Sequence, residues 1–231
     1  MNVRSALFSG LFFLLAVSLQ AGTAVPEPLA TALDKFVAAE AEWAYTQVYR
    51  RADKPDAQTV ARFDPSRPRE RQWELVLLRG RKPSTEEASR WCKRRMQEDV
   101  NNDAEAMVQA LDLENARFFD ESPDRVRYAV PLRKQTIKRM VPTENFIVIA
   151  EVDRRTETLR RLSASLTDEI RILGGMAKID TAEGEVVFQA LEGGAAARPV
   201  YISARGTGSA LFKRVQRSAE ILFVDQRRVK S

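Results

Sequence analysis

The chain has 231 residues, with 37 Lys and Arg against 32 Asp and Glu, for a formal net charge of +5. It contains no histidine and a single cysteine, Cys92. That excludes Ser-His-Asp and Cys-His sites, the usual imidazole ligand for zinc or copper, an intrachain disulfide and every multi-cysteine metal centre. Basic and acidic residues are interspersed instead of gathered on a face or tail, so no nucleic-acid partner is expected.

The first residues, "MNVRSALFSGLFFLLAVSLQAGTAVPEP", carry one positive charge at Arg4, an apolar core from Ser5 to Leu19, and then the small residues Gly22 and Ala24. This is the tripartite pattern of a cleavable secretory signal, predicting a signal peptide at 1–24 and one domain over 25–231. The apolar core falls short of the ~20 residues needed to span a bilayer, and no later segment is longer. The mature chain is therefore expected to be exported and to lack a transmembrane segment; a monomer is also expected.

In "PLATALDKFVAAEAE", Leu29, Leu33, Phe36 and Val37 fall on one helical stripe. "WAYTQVYRR" follows as a strand in which Trp43, Tyr45, Gln47 and Tyr49 alternate with Ala44, Thr46 and Val48. A turn, a short strand around Thr59 to Phe63 and a Pro-containing loop lead to a strand in "RQWELVLLRG", ended by Gly80. Ser84 and Glu87 then form a capping-box pattern ahead of a second helix. On that helix Ala88, Trp91, Cys92, Met96 and Val100 share one face, which predicts a buried, unreactive Cys92.

Beyond this helix the pattern reads as strands. The predicted spans are 116–120, 125–132, 136–141, 145–152, 157–166, 176–181, 185–190, 200–205, 210–217 and 220–224, joined by links such as "ESPD", "DRRT" and "TAEG". Links this short leave no room for crossover helices, so the strands must pair antiparallel. In "NFIVIAEV" and "WELVLL" both faces are apolar, which predicts cover on both sides or an enclosed apolar cavity. Near the C-terminus, Phe212, Val215, Ile221 and Phe223 are assigned to packing and Lys213, Arg214 and Arg217 to the solvent side. Strict alternation fails there, which predicts a bulge or an edge. The fold class is α+β: a curved, largely antiparallel, unclosed β-barrel of about ten strands, with two or three helices on the concave face.

The succession "FIVIAEVDRRTETLRRLSASL", "MAKIDTAEGEVVFQAL" and "LFKRVQRSAEILFVD", after a signal peptide and two helices, resembles the periplasmic lipoprotein-carrier superfamily in layout. That group includes lipoprotein-sorting factors and envelope-stress regulators built on an unclosed barrel with helices as a lid. The resemblance implies a pocket for lipid, lipoprotein acyl chains or a hydrophobic peptide, with Trp43, Trp73, Leu75, Phe146, Val148 and Phe188 as candidate lining residues. No catalytic residue, metal ligand or cofactor is expected. The functional expectation is a non-enzymatic carrier or sensor of the cell envelope. The alternatives are an envelope protein-interaction module without lipid and, third, a carboxylate-based hydrolase. No spacing picks out two carboxylates for the last.

Overall fold

The computed structural model describes residues 25–39, 43–99, 104–134, 136–137, 141–172, 175–191, 195–210 and 213–229. The signal segment, the cleavage position, Val100 and Phe212 lie outside them. The first helix, α1 (Glu27–Ala39), begins where Pro26 and Pro28 occupy positions whose missing N–H has no intrahelical acceptor to lose. Its stripe of Leu29, Ala32, Leu33 and Phe36 is buried as the spacing predicts, with Val37 packed beside it. Lys35 Nζ donates to the Thr156 carbonyl at 2.7 Å and ties the outer side of the helix to a hairpin turn.

The strands that follow are β1 (Trp43–Arg51), β2 (Lys54–Phe63) and β3 (Trp73–Leu77). The strand predicted at Thr59 begins five residues earlier, at Lys54. The stretch Lys54 to Thr59 pairs with β1 alone, since β3 reaches only Val60 to Phe63, and an edge tolerates Pro55 with no N–H to offer. Gly80 closes the chain after β3: Arg79 and Gly80 both have positive φ, and Leu78 and Arg81 exchange backbone hydrogen bonds of 2.8 and 3.2 Å. A Cβ on Gly80 would also run into the Asp56 carbonyl oxygen.

Helix α2 (Thr85–Asp99) starts with the predicted capping box: Ser84 N–H donates to Glu87 Oε2 at 2.9 Å, and Glu87 N–H donates to Ser84 Oγ at 3.3 Å. The Arg81 guanidinium, and after it the Ser84 N–H, hold the Glu87 carboxyl down at about 2. A third helix, α3 (Ala104–Gln109), was not expected at that place; one turn and a half is too short to leave a periodic signature.

The remaining strands are β4 (Arg117–Ser122), β5 (Arg125–Pro131), β6 (Thr136–Ile137), β7 (Val141–Pro142), β8 (Phe146–Asp153), β9 (Thr158–Leu166), β10 (Ile170–Ile172), β11 (Ala177–Ala190), β12 (Ala197–Ala210) and β13 (Lys213–Arg228). All but β6 and β7 join one curved, unclosed sheet in the order β3-β2-β1-β13-β12-β11-β9-β8-β5-β4, with β10 beside β11; every pairing is antiparallel. The expected strand at 136–141 is instead the small separate hairpin β6–β7. The predicted turn "TAEG" is not a turn: it runs inside β11, paired along its length with β12 and from Glu183 onward with β9 as well. The break expected between the strands at 210–217 and 220–224 is also absent, since Ser218 and Ala219 run inside β13 against β12. Pairing on two sides outweighs the local turn chemistry of Gly184 and Ser218.

One cross-strand row defines the helix-bearing face: Ala150, Leu162, Val186, Ile202, Ile221, Tyr49 and Thr59 are direct partners from β8 to β2. Directly opposite residues point to the same side. Helix α1 packs against β8, β9 and β12 there, α3 packs against α1, and α2 packs against β3. The main core joins α1 to Val126, Tyr128 and Val130 of β5, Val148, Ala150 and Val152 of β8, and Leu159 and Leu162 of β9. A second cluster of Ala61, Trp73 and Leu75 lies under α2.

The opposite face carries no helix among the described residues. Ile147 and Ile149 of β8 are only half-buried there, so the expected cover on both sides of "NFIVIAEV" is absent. Ion pairs tile that face: Arg127 with Asp120, Arg125 with Glu151 at 2.9 Å, Arg161 with Glu185 at 2.8 Å, Arg205 with Glu183 and Arg50 with Glu220 at 3.9 Å. Many of the chain's arginines are thus the solvated side of the sheet, matched by carboxylates. Lys213, Arg214 and Arg217 are exposed, as assigned from the sequence.

Cys92 departs from expectation. It is half-buried, because α2 covers only the small cluster at the β3 edge; its Sγ donates to the Trp73 carbonyl at 3.4 Å. Burial pushes the thiol above its usual range. A thiol reagent at neutral pH should therefore label the native protein much more slowly than the urea-unfolded chain. Equal rates would place Cys92 in free solvent.

Candidate functional site

Helices α1 and α3 cover the β5 to β12 side of the sheet, and α2 covers β3. Strands β13, β1 and β2 lie between, and their helix-side residues Tyr45, Phe63, Ile221 and Phe223 are only half-buried. The result is a cleft of about 700 Å³. One wall is Phe36, Val37 and Ala39 of α1 with Ala104 and Met107 of α3; the other is an aromatic group on the sheet. Within that group Tyr45 lies 5.2 Å from Phe63 and 5.2 Å from Phe223, and Phe63 lies 4.9 Å from Trp73.

Of the candidate residues, Trp43 and Trp73 stand in the cleft wall. Leu75 is buried behind Trp73 in the cluster under α2. Val148 and Phe188 belong to the main core, Phe188 edge-on to Phe36 at 5.2 Å. Phe146 is half-buried at the start of β8 and does not reach the cleft wall. The residues that sequence reasoning missed are Phe36, Tyr45, Phe63, Met107, Arg198, Phe223 and Gln226. Tyr45 was legible as the alternation partner of Trp43 in β1; the rest depend on which strands become neighbours.

Three polar side chains of the wall, Trp43, Arg198 and Gln226, gather near one end. The β12–β13 ladder stops at Tyr201–Leu222. Beyond it Gln226 Nε2 bridges to the Pro199 carbonyl at 2.9 Å and to the Phe223 carbonyl at 3.1 Å. A bulge at Asp225, whose φ is 52°, accompanies the register shift against β1 and turns Gln226 to the same side as Phe223. Arg198 lays its guanidinium 4.3 Å from the centroid of the Trp43 ring, and burial lowers its pKa. Farther along the wall Arg95 lies 4.8 Å over Trp73. Glu105 is the one carboxylate among the described wall residues.

A second depression, of about 800 Å³, lies on the helix-free side and includes Arg50, Arg161, Ser203 and Glu185. Its charges are spent on one another in the cross-strand pairs described above. No group of three or more metal-ligating side chains occurs among the described residues, and no helix among them is long and apolar enough to cross a membrane.

The chain matches no protein-family model and no curated protein. Among solved structures, a crystal structure of MucB in complex with MucA(peri) aligns with 88% of this chain and 100% of that one, at 11% identity and a TM-score of 0.22. Similarity at that level carries no inference about this chain.

Proposed function

We propose that this chain is an exported, non-enzymatic binding protein of the bacterial periplasm whose cleft shields an acyl chain of a lipid or lipoprotein from water. The observation that carries the reading is the half-buried aromatic wall of Tyr45, Phe63 and Phe223, bounded by the buried Trp73 and facing Phe36 and Met107. A folded protein that leaves such a surface half-buried in a cleft has a use for it. The volume lies within the range of about 300–1,000 Å³ usual for small-molecule sites. Burying about ten methylenes at ~0.8 kcal/mol each gives ~8 kcal/mol, the free energy of a roughly micromolar complex. That strength holds a chain in water and still lets it leave. The layout that resembles lipoprotein carriers and the leader expected at 1–24 support this reading.

A second reading rests on a separate observation. β4 is an outer strand of the sheet, and it exposes Phe118 at 61% and Phe119 at 52% of their surface. An envelope protein adding a strand at that edge would cover them.

Native mass spectrometry of protein purified from its own periplasm separates the two. The expected spectrum shows a bound acyl lipid, and oleate displaces a fluorescent fatty-acid probe from delipidated protein. A bare protein mass together with no probe binding sinks the carrier reading; a stoichiometric protein partner in that case supports the second.

A further inference from the structure

Three buried polar atoms without a hydrogen-bond partner converge on one end of the cleft: Trp43 Nε1, Arg198 Nε and Gln226 Oε1. Native proteins leave few such atoms, since each has surrendered water without replacement. Here they come from three different strands, β1, β12 and β13, and Arg198 rests on Trp43 while Gln226 is aimed by a bulge. Arg198 has no ion-pair partner among the described residues, in contrast with the arginines of the opposite face. The cleft is thus apolar over most of its length and cationic, with idle donors, at one end.

We infer that the cleft takes an anionic amphiphile, its chain along the aromatic wall and its oxyanion head on the Trp43 and Arg198 N–H groups. This rests on the reading of the cleft as an acyl-chain site and names the chemistry of its occupant. A guanidinium fixed over an indole face presents its N–H edge in a set direction, which suits a phosphate or carboxylate. The Gln226 oxygen is an acceptor beside these donors. A head combining an oxyanion with a neighbouring hydroxyl, as in a lysophosphatidate, satisfies all three atoms.

The test uses three probes on the delipidated, full-length mature chain. Oleoyl lysophosphatidate and monooleoylglycerol share the chain and a glycerol hydroxyl and differ in the phosphate; glycerol 3-phosphate has the head without the chain. Lysophosphatidate should bind about tenfold or more tighter than monooleoylglycerol at low salt, as a charge-assisted bond in a desolvated site allows. Glycerol 3-phosphate should not compete at matched concentrations. In Arg198→Gln the preference should vanish, lysophosphatidate losing about tenfold more affinity than monooleoylglycerol. Trp43→Phe keeps an aromatic face for Arg198, removes the N–H donor and should cut the preference several-fold, which serves should Arg198→Gln fail to fold. Equal binding of the two lipids by the wild type, or an equal loss of both in Arg198→Gln, overturns the head-group assignment and leaves the cleft reading standing. Tight binding of glycerol 3-phosphate by itself makes this a free-phosphate site and also overturns it. If neither lipid binds, both readings fall together.

Discussion

Leu33→Ala is expected to destabilise the protein by about 3–5 kcal/mol, read as a lower urea midpoint with little change in slope. Leu33 is 1% exposed, on the stripe of α1 that completes the main core with Val148, Ala150, Leu159 and Leu162. Removing three carbons there leaves a void between helix and sheet that neither can close, because the sheet beneath is held on both edges by its ladders. The exposed neighbour Asp34 is the control: Asp34→Ala should stay within about 0.5 kcal/mol. The contrast bears on mechanism. The resemblance to lipoprotein carriers implies helices that act as a lid, and a lid that swings free contributes little to global stability. An unchanged midpoint in Leu33→Ala would make α1 such a lid; the expected loss makes it a fixed wall of the cleft.

The second large effect concerns two glycines in neighbouring strands, with opposite signs expected. A Cβ on Gly208 would stand well under 3.0 Å from the Lys178 carbonyl oxygen and 3.2 Å from the Ile179 Cα, both backbone atoms of β11. Gly208→Ala must push β11 and β12 apart where their register already shifts between Ile179 and Thr181, and should cost about 3 kcal/mol or more. At Gly184 the same methyl would meet the Ser203 carbonyl oxygen at 3.6 Å, an ordinary contact. Gly184→Ala should be neutral, or stabilise by about 0.5–1 kcal/mol through the lost flexibility of the unfolded chain. Chemical denaturation of the two variants side by side checks both. Equal effects would mean that β11 continues past "TAEG" less regularly than its pairing with β9 and β12 indicates.

Local features were legible wherever a few consecutive residues decide the outcome. The stripe of Leu29, Leu33 and Phe36, the Ser84–Glu87 box, the strand at Trp43–Arg51 and the turn at Gly80 all follow from spacing, capping and φ preference within about ten residues. The absence of room for crossovers likewise dictated antiparallel pairing and an α+β sheet with helices. Where the sequence misled, a neighbour in space had overruled a local signal: Gly184 sits mid-strand because Ala164 and Ala204 pair with it from either side, and Cys92 is half-buried because its helix lands on the sheet's edge.

Beyond Trp43, Tyr45 and Trp73, the cleft belongs to that second kind of information. Tyr45, Phe63, Arg198 and Phe223 come from four strands spread over 178 positions of the chain, and each alone reads as a plain strand residue. Their meeting depends on β13 returning to pair with β1, which no spacing records, and on the β12–β13 ladder ending at Tyr201–Leu222. The sequence by itself determined the alternation of apolar and charged positions, and with it a sheet of one greasy and one wet face. Only the tertiary structure decided which part of the greasy face the three helices would leave uncovered, because helix length and landing place, not strand pattern, set the extent of cover.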